Sequence, residues 1–192
     1  MRLFHFHLAA ADYRAVEARY VACGFRLVAR YGRLGRESTS FDAGHGWDEL
    51  DAIGFRLRLT QLERDGIELV VQPGRWELPL VDHVGVLLDG DELDAVLRRA
   101  KSRRLTVQER GDRRTFVSTG TGLRLEVRRE SDGDVAPFSL ELATAEPERM
   151  AGALAELLGL EPIAGDVDIA GSTVHFRSGG PAGRPQLVAA GF

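Results

Sequence analysis

The sequence predicts an α+β fold built from a repeated βαβββ unit, and three observations carry that prediction. Residues 81–129 read as an apolar strand containing a histidine, a short amphipathic helix, and three strand-like runs, the last with a glutamate. The same order can be traced before this stretch, over residues 3–72, and after it, from residue 138 onward. Aligning the first two passes puts His5 on His83 and Val70 on Glu126, and aligning the third puts Ser139 on His83. Self-similarity of this kind marks an internal repeat.

Each element has its own signal. Residues 3–9 alternate as a half-buried strand does, with Phe4, Phe6 and Leu8 on one face and Leu3, His5 and His7 on the other. Asp12 suits the N-cap of a helix over 13–22 that presents Val16, Tyr20 and Val21 to one side, and Gly24 ends it. A strand over 25–31 leads into a long, polar, Gly-dotted loop at 32–54 with a short helix in WDEL. Strands 55–62 and 67–72 form a hairpin across Asp65 and Gly66. PGRWELP then breaks the chain at Pro73 and Pro79. The second pass has a strand at 81–88, a helix at 92–101 and strands at 105–109, 115–118 and 123–128. SDGD and Pro137 separate it from the third, with a strand at 138–143, a helix opened by Pro147, and weaker strands near 162–169, 173–177 and 186–189. The expected units are therefore 1–72, 81–130 and 137–192.

Composition narrows the function classes. At 192 residues, with a net charge of −4 and a pI near 5.8, the chain is not a nucleic-acid binder by its overall charge. The pairs Arg98-Arg99, Arg103-Arg104, Arg113-Arg114 and Arg128-Arg129 are balanced by acidic neighbours and read as solvated faces. Cys23 stands alone, so there is neither a disulfide framework nor a thiolate metal site, and it reads as a small buried hydrophobe. MRLFHFHLAAAD is too short and too interrupted for a signal peptide, and no apolar run approaches the roughly 18 residues of a membrane span. A cytoplasmic protein with no membrane partner is expected. No P-loop, dinucleotide fingerprint or Ser-His-Asp order is present.

The strand VDHVGVLL followed by a helix, closing on GLRLEV, resembles the vicinal oxygen chelate superfamily, which includes glyoxalases, extradiol dioxygenases and bleomycin resistance proteins. The likeness is good over 81–129, fair over 3–72 and weak beyond Pro137. It implies that the first two modules (1–130 together) pair into an open cup-shaped, glyoxalase-like sheet, with a third, degenerate βαβββ module appended. It also implies metal ligands at His5, His83 and Glu126, with Val70 at the fourth place. Two imidazoles and a carboxylate suit a divalent ion such as Fe²⁺, Mn²⁺ or Zn²⁺. Parity agrees, because Glu126 lies opposite Leu123, Leu125 and Val127. Without a base at Val70, ring cleavage or addition is favoured over isomerisation. Glu68 shares Val70's strand face and could substitute only through a register slip.

The remaining candidates each have two readings. His5 and His83 are either ligands or half-buried structural histidines. His7 is a supporting group or alternative ligand at the site, or structural. Arg56, Arg58, Glu68 and Arg124 would face the cup, where the arginines would favour an anionic substrate or pair with Glu68. Trp47, beside His45, Asp48 and Glu49, belongs to a lid carrying an aromatic contact or to a plug. Trp76 and His175 read as packing groups. The two functions carried forward are a metal-dependent enzyme acting on a small oxygen-rich substrate and a metal-free protein of the bleomycin-resistance kind that sequesters an aromatic or peptide-like compound; in either case the partner is a small, anionic or aromatic molecule. The third module, lacking a partner within the chain, is expected to pair with its copy in a homodimer.

Overall fold

Two neighbouring strands organise the molecule. In the computed structural model, which describes residues 1–110, 114–130 and 133–192, β1 (Arg2–Ala10) runs antiparallel beside β6 (Leu80–Leu88). Arg113 of one arginine pair, and Ser131 and Asp132 of the second chain break, lie outside the described residues.

After β1 come α1 (Tyr13–Ala22), β2 (Arg26–Leu34), β3 (Glu37–Phe41), α2 (Trp47–Ala52), β4 (Phe55–Arg64) and β5 (Ile67–Pro73). After β6 come α3 (Gly90–Ser102), β7 (Val107–Arg110), β8 (Arg114–Ser118) and β9 (Arg124–Arg129). Each group closes the same way, its last strand lying parallel beside its first, so the strand orders are β1-β5-β4-β2-β3 and β6-β9-β8-β7. Local chemistry sets the ends. Asp12 accepts a hydrogen bond from the Ala15 N–H at 3.0 Å to start α1. Asp89 and Glu92 form a reciprocal capping box on α3. The β4–β5 hairpin turns on Asp65 and Gly66, both at positive φ, as a two-residue hairpin loop requires.

The loop expected over 32–54 is more ordered than its composition suggests. β3 pairs with β2 across a turn at Gly35, and α2 follows. Cys23, expected to be buried, is exposed at the C-cap of α1, where its backbone N–H closes the last turn. Val21 is likewise exposed, and the residues that α1 buries are Glu17 and Tyr20.

The third group, β10 (Ser139–Thr144), α4 (Pro147–Leu158), β11 (Asp166–Ile169), β12 (Ser172–Ser178) and β13 (Gln186–Gly191), keeps the β, α, β, β, β order but not the pairing. β12 takes the parallel place beside β10, and β13 crosses to the other side and runs antiparallel to β10. There β13 also meets β6, at Gln186 and Leu80. The third group therefore has a partner within the chain, which removes the reason given for its pairing with a second copy. α3 and α4 pack together, and Arg99 donates to the Leu157 carbonyl.

A continuous apolar core lies between the sheet and its helices. It contains Phe6, Leu8, Leu69, Val71, Val84, Val86, Leu125, Val127, Val96, Ala100, Leu140, Leu154 and Phe176. Two irregularities in the β1–β6 ladder break the simple alternation. One lies between Leu3 and His5, so Leu3 packs in the core and Phe4 does not, the reverse of the expected faces. The other leaves Asp82 unpaired, which puts Val81 in the core rather than on the face of His83. Among the described residues, no helix is long and apolar enough to cross a membrane.

Candidate metal centre

His5, His83 and Glu126 lie on the sheet face opposite the helices, on the three adjacent strands β1, β6 and β9. His5 and Glu126 are almost wholly buried and His83 is 4% exposed. His5 Nε2 lies 3.1 Å from His83 Nε2, His83 Nε2 lies 3.1 Å from Glu126 Oε2, and the third edge of the triangle is 4.0 Å. Donors about 2.1 Å from a common ion are spaced about 3.0 Å apart at right angles and about 3.4 Å apart in a tetrahedron. Two edges match this spacing, and the third closes with a small side-chain rotation.

The tautomers follow from the partners. His5 Nδ1 lies 3.0 Å from the Glu68 carbonyl, and His83 Nδ1 lies 2.9 Å from Asp82 Oδ2; both partners can only accept. With Nδ1 donating, each Nε2 presents a lone pair to the other and to the Glu126 carboxylate. Three electron-rich atoms aimed at one point could hold a shared cation, and hydrogen bonds on the far ring nitrogens are the usual support of histidine ligands.

Surrounding residues fix these groups. Arg128 donates from Nε to Glu126 Oε1 at 2.5 Å and from Nη1 to Glu68 Oε1 at 3.1 Å, which leaves Oε2 facing the histidines. Asp82 is held by Arg124 and by Arg184 at 2.8 Å, the latter arriving from the β12–β13 connection. Phe116 sets its edge against His83 at a 5.0 Å ring separation, and Phe4 lies beside His5 under the Arg128 guanidinium. Burial, reinforced by the nearby His83, holds the His5 imidazole well below its ordinary pKa despite the opposing pull of Glu126. Burial also lowers His7, to about 4, again with His83 adding to the effect. For Glu126 burial acts upward, but its neighbours His83, His5 and Arg128 prevail and lower it to about 2. Asp82 is likewise held low by His83 and Arg124 against its burial.

His7 stands on the same face, opposite His83 in the β1–β6 ladder. One donor atom each from His5, His7 and His83 lies within 4.8 Å of the others. Glu68 stays in register with His5, so no slip brings it to Val70's place, and its carboxylate is engaged by Arg128. Beside Phe4, Glu68, Arg114 and Arg128 opens a cavity of about 1000 Å³, which none of His5, His7, His83 and Glu126 lines.

Other candidates lie elsewhere. Arg124 is spent on Asp82. Arg56 and Arg58 are exposed toward the far end of β4, whose other end carries Glu63 opposite Glu68. Trp47 is neither lid nor plug of the cup; its indole N–H donates to Glu17 at 3.1 Å, and Arg14 and Arg30 cover its ring. Buried Glu17 also accepts from Arg30 and Thr60, so this network ties the 32–54 segment to α1 and β4 on the helical side. His175 pairs with Asp166. The residues the sequence reading missed are Asp82, Phe116, Phe4 and Arg184.

No family model matches the sequence, and no curated relative does. Solved structures match in fold. A Mn(II)-bound glyoxalase from Novosphingobium aromaticivorans superposes with a TM-score of 0.55 at 14% identity, covering 98% of this chain and 64% of that one. A variant of 4-hydroxymandelate synthase from Streptomyces coelicolor gives 0.56 at 14% identity, covering 92% and 62%. The 2,2',3-trihydroxybiphenyl 1,2-dioxygenase of Sphingomonas wittichii strain RW1 gives 0.52 at 13% identity, covering 82% and 56%. The chain spans less than two thirds of each of these proteins. It shares the fold of these solved structures.

Proposed function

We propose that this protein is a divalent-metal-dependent enzyme of the vicinal oxygen chelate type, acting on a small substrate that presents two adjacent oxygens. The observation that carries the proposal is the convergence of His5 Nε2, His83 Nε2 and Glu126 Oε2, with both Nδ1 protons committed elsewhere. Bound Fe²⁺, Mn²⁺ or Zn²⁺ would supply Lewis acidity to the chelated oxygens; the Mn(II) of the similar glyoxalase supports Mn²⁺ among these.

The protein's own groups do the rest. Asp82 orients His83 and raises the basicity of its free nitrogen. Arg128 occupies one oxygen of Glu126 and directs the other inward. Phe4 and Phe116 limit water around the donors. Val70 stands in register two residues beyond Glu68, as Glu126 does beyond Arg124 on β9, so no carboxylate faces the centre from that side. Proton shuttling between two carboxylates is thereby disfavoured, and ring cleavage or addition is the chemistry supported.

The test is to titrate Mn²⁺-loaded protein with paired compounds that carry either two vicinal oxygens or one, such as a catechol and the matching phenol. Binding of the chelating member at least about tenfold tighter is expected, a difference of about 1.4 kcal/mol. Equal affinities, unchanged when the metal is removed with a chelator, would instead support a metal-free sequestering protein.

A further inference from the structure

The register of the two central strands points to an additional protein donor. Moving His5 onto His83 carries the facing pair His5 and Gly85 onto the facing pair His83 and His7, so the β1–β6 ladder is symmetric about the centre. Under this symmetry the counterpart of Glu126 is Val70, and the counterpart of Gly85 is His7. Those positions are also lateral neighbours, Gly85 beside Glu126 on β6 and β9, and His7 beside Val70 on β1 and β5. One side of the centre has no side chain on the first strand and a carboxylate on the last. The other has an imidazole on the first strand and an aliphatic group on the last. The two arrangements place a donor on each side, from different strands.

Two further observations agree. Gly85 has no room for a side chain, since a Cβ there would lie 2.7 Å from the His5 Cβ, so a donor on that side must come from β9. On the opposite side His7 Nε2 is buried with no hydrogen-bond partner, and His7 forms with His5 and His83, without Glu126, a cluster whose donor atoms lie within 4.8 Å of one another. A buried imidazole nitrogen without a partner is costly unless something absent from the polypeptide meets it.

We propose that His7 is the fourth protein ligand, replacing the donor missing at Val70, so that the centre is His5, His7, His83 and Glu126. The proposal rests on the metal-centre reading above and sharpens it. Four protein donors leave two of six coordination places, enough for a chelating pair of oxygens. Three donors would leave a further place for dioxygen. The four-donor set therefore favours addition or another non-oxidative reaction over ring cleavage with O₂.

The experiment combines calorimetric Mn²⁺ binding with pulsed EPR of the Cu²⁺-loaded protein, which counts coordinated imidazoles. Three imidazoles are expected in the wild type and two in His7→Ala, with Mn²⁺ affinity falling roughly 100-fold. The double variant His7→Gly/Val70→Glu, which copies the arrangement on the other side, should recover most of that loss. Two imidazoles in the wild type, an unchanged affinity in His7→Ala, or a double variant as weak as His7→Ala would overturn the proposal while leaving the three-donor centre standing. A wild type that binds neither ion would overturn both readings.

Discussion

Gly85→Ala tests the centre without touching a ligand. An added Cβ would lie 2.7 Å from the His5 Cβ and 2.9 Å from Phe4 Cε1. The Phe4 ring can turn, but the His5 Cβ is one bond from the backbone of the neighbouring strand. Ordinary contact begins near 3.4 Å, so His5 must retreat by about 0.7 Å. Metal sites tolerate deviations of only about 0.2 Å in ligand position. Two edges of the donor triangle are already near the ideal spacing, at 3.1 Å. Mn²⁺ affinity should therefore fall roughly 10- to 100-fold, as it does when a ligand loses its support. The metal-free protein should lose about 1–3 kcal/mol, the usual cost of overpacking. Calorimetric titration with Mn²⁺ and urea unfolding in a chelator measure the two effects. A Gly85→Ala protein with unchanged Mn²⁺ affinity would refute the placement of His5 at the centre.

Three other outcomes follow from the same geometry. Asp82→Asn keeps the shape but removes the carboxylate that holds His83 Nδ1 and faces Arg124 and Arg184, so metal affinity should drop roughly 10- to 100-fold; equal affinity by calorimetry would count against that role. Glu17→Gln strips the buried charge opposite Arg30 and should cost about 3–5 kcal/mol in urea unfolding while leaving metal affinity unaltered, since the network lies on the helical side; a parallel loss of metal binding would contradict that separation. The lowered pKa values set the pH dependence of the metal-free protein. His5 and His7 bind protons more weakly folded than unfolded, so their contribution is complete above about 6.5 and is lost as pH falls below it, for His7 toward about 4. Glu126 adds a loss between about 4.5 and about 2. Urea midpoints that hold level from pH 7 to pH 4 would contradict this.

The convergence of His5, His83 and Glu126 was legible in the sequence because it rests on two short-range regularities. Period-two alternation sets Glu126 opposite Leu125 and Val127, and the repeat aligns His5 with His83 across β1 and β6. Asp82 was not legible, since strict alternation turns it away from its neighbour His83, and only the ladder irregularity brings both to one face. The same kind of irregularity hid Phe4. Arg184 comes from a connection more than a hundred residues downstream and carries no local signal. The destination of β13 was not readable either, because antiparallel pairing with β10 on one side or a place beside β12 on the other would give the same alternating strand. Trp47 was misplaced because its partners, Glu17 and Arg30, are charged residues that composition assigns to the surface.

The most direct measurement is the metal content of protein purified from metal-supplemented culture, by elemental mass spectrometry, for the wild type, His83→Ala and Glu126→Ala. About one iron, manganese or zinc per chain in the wild type, lost in both variants, is the predicted result for a centre with this donor geometry. A folded wild-type protein that carries no metal and takes up none of the three ions when they are added would contradict the account.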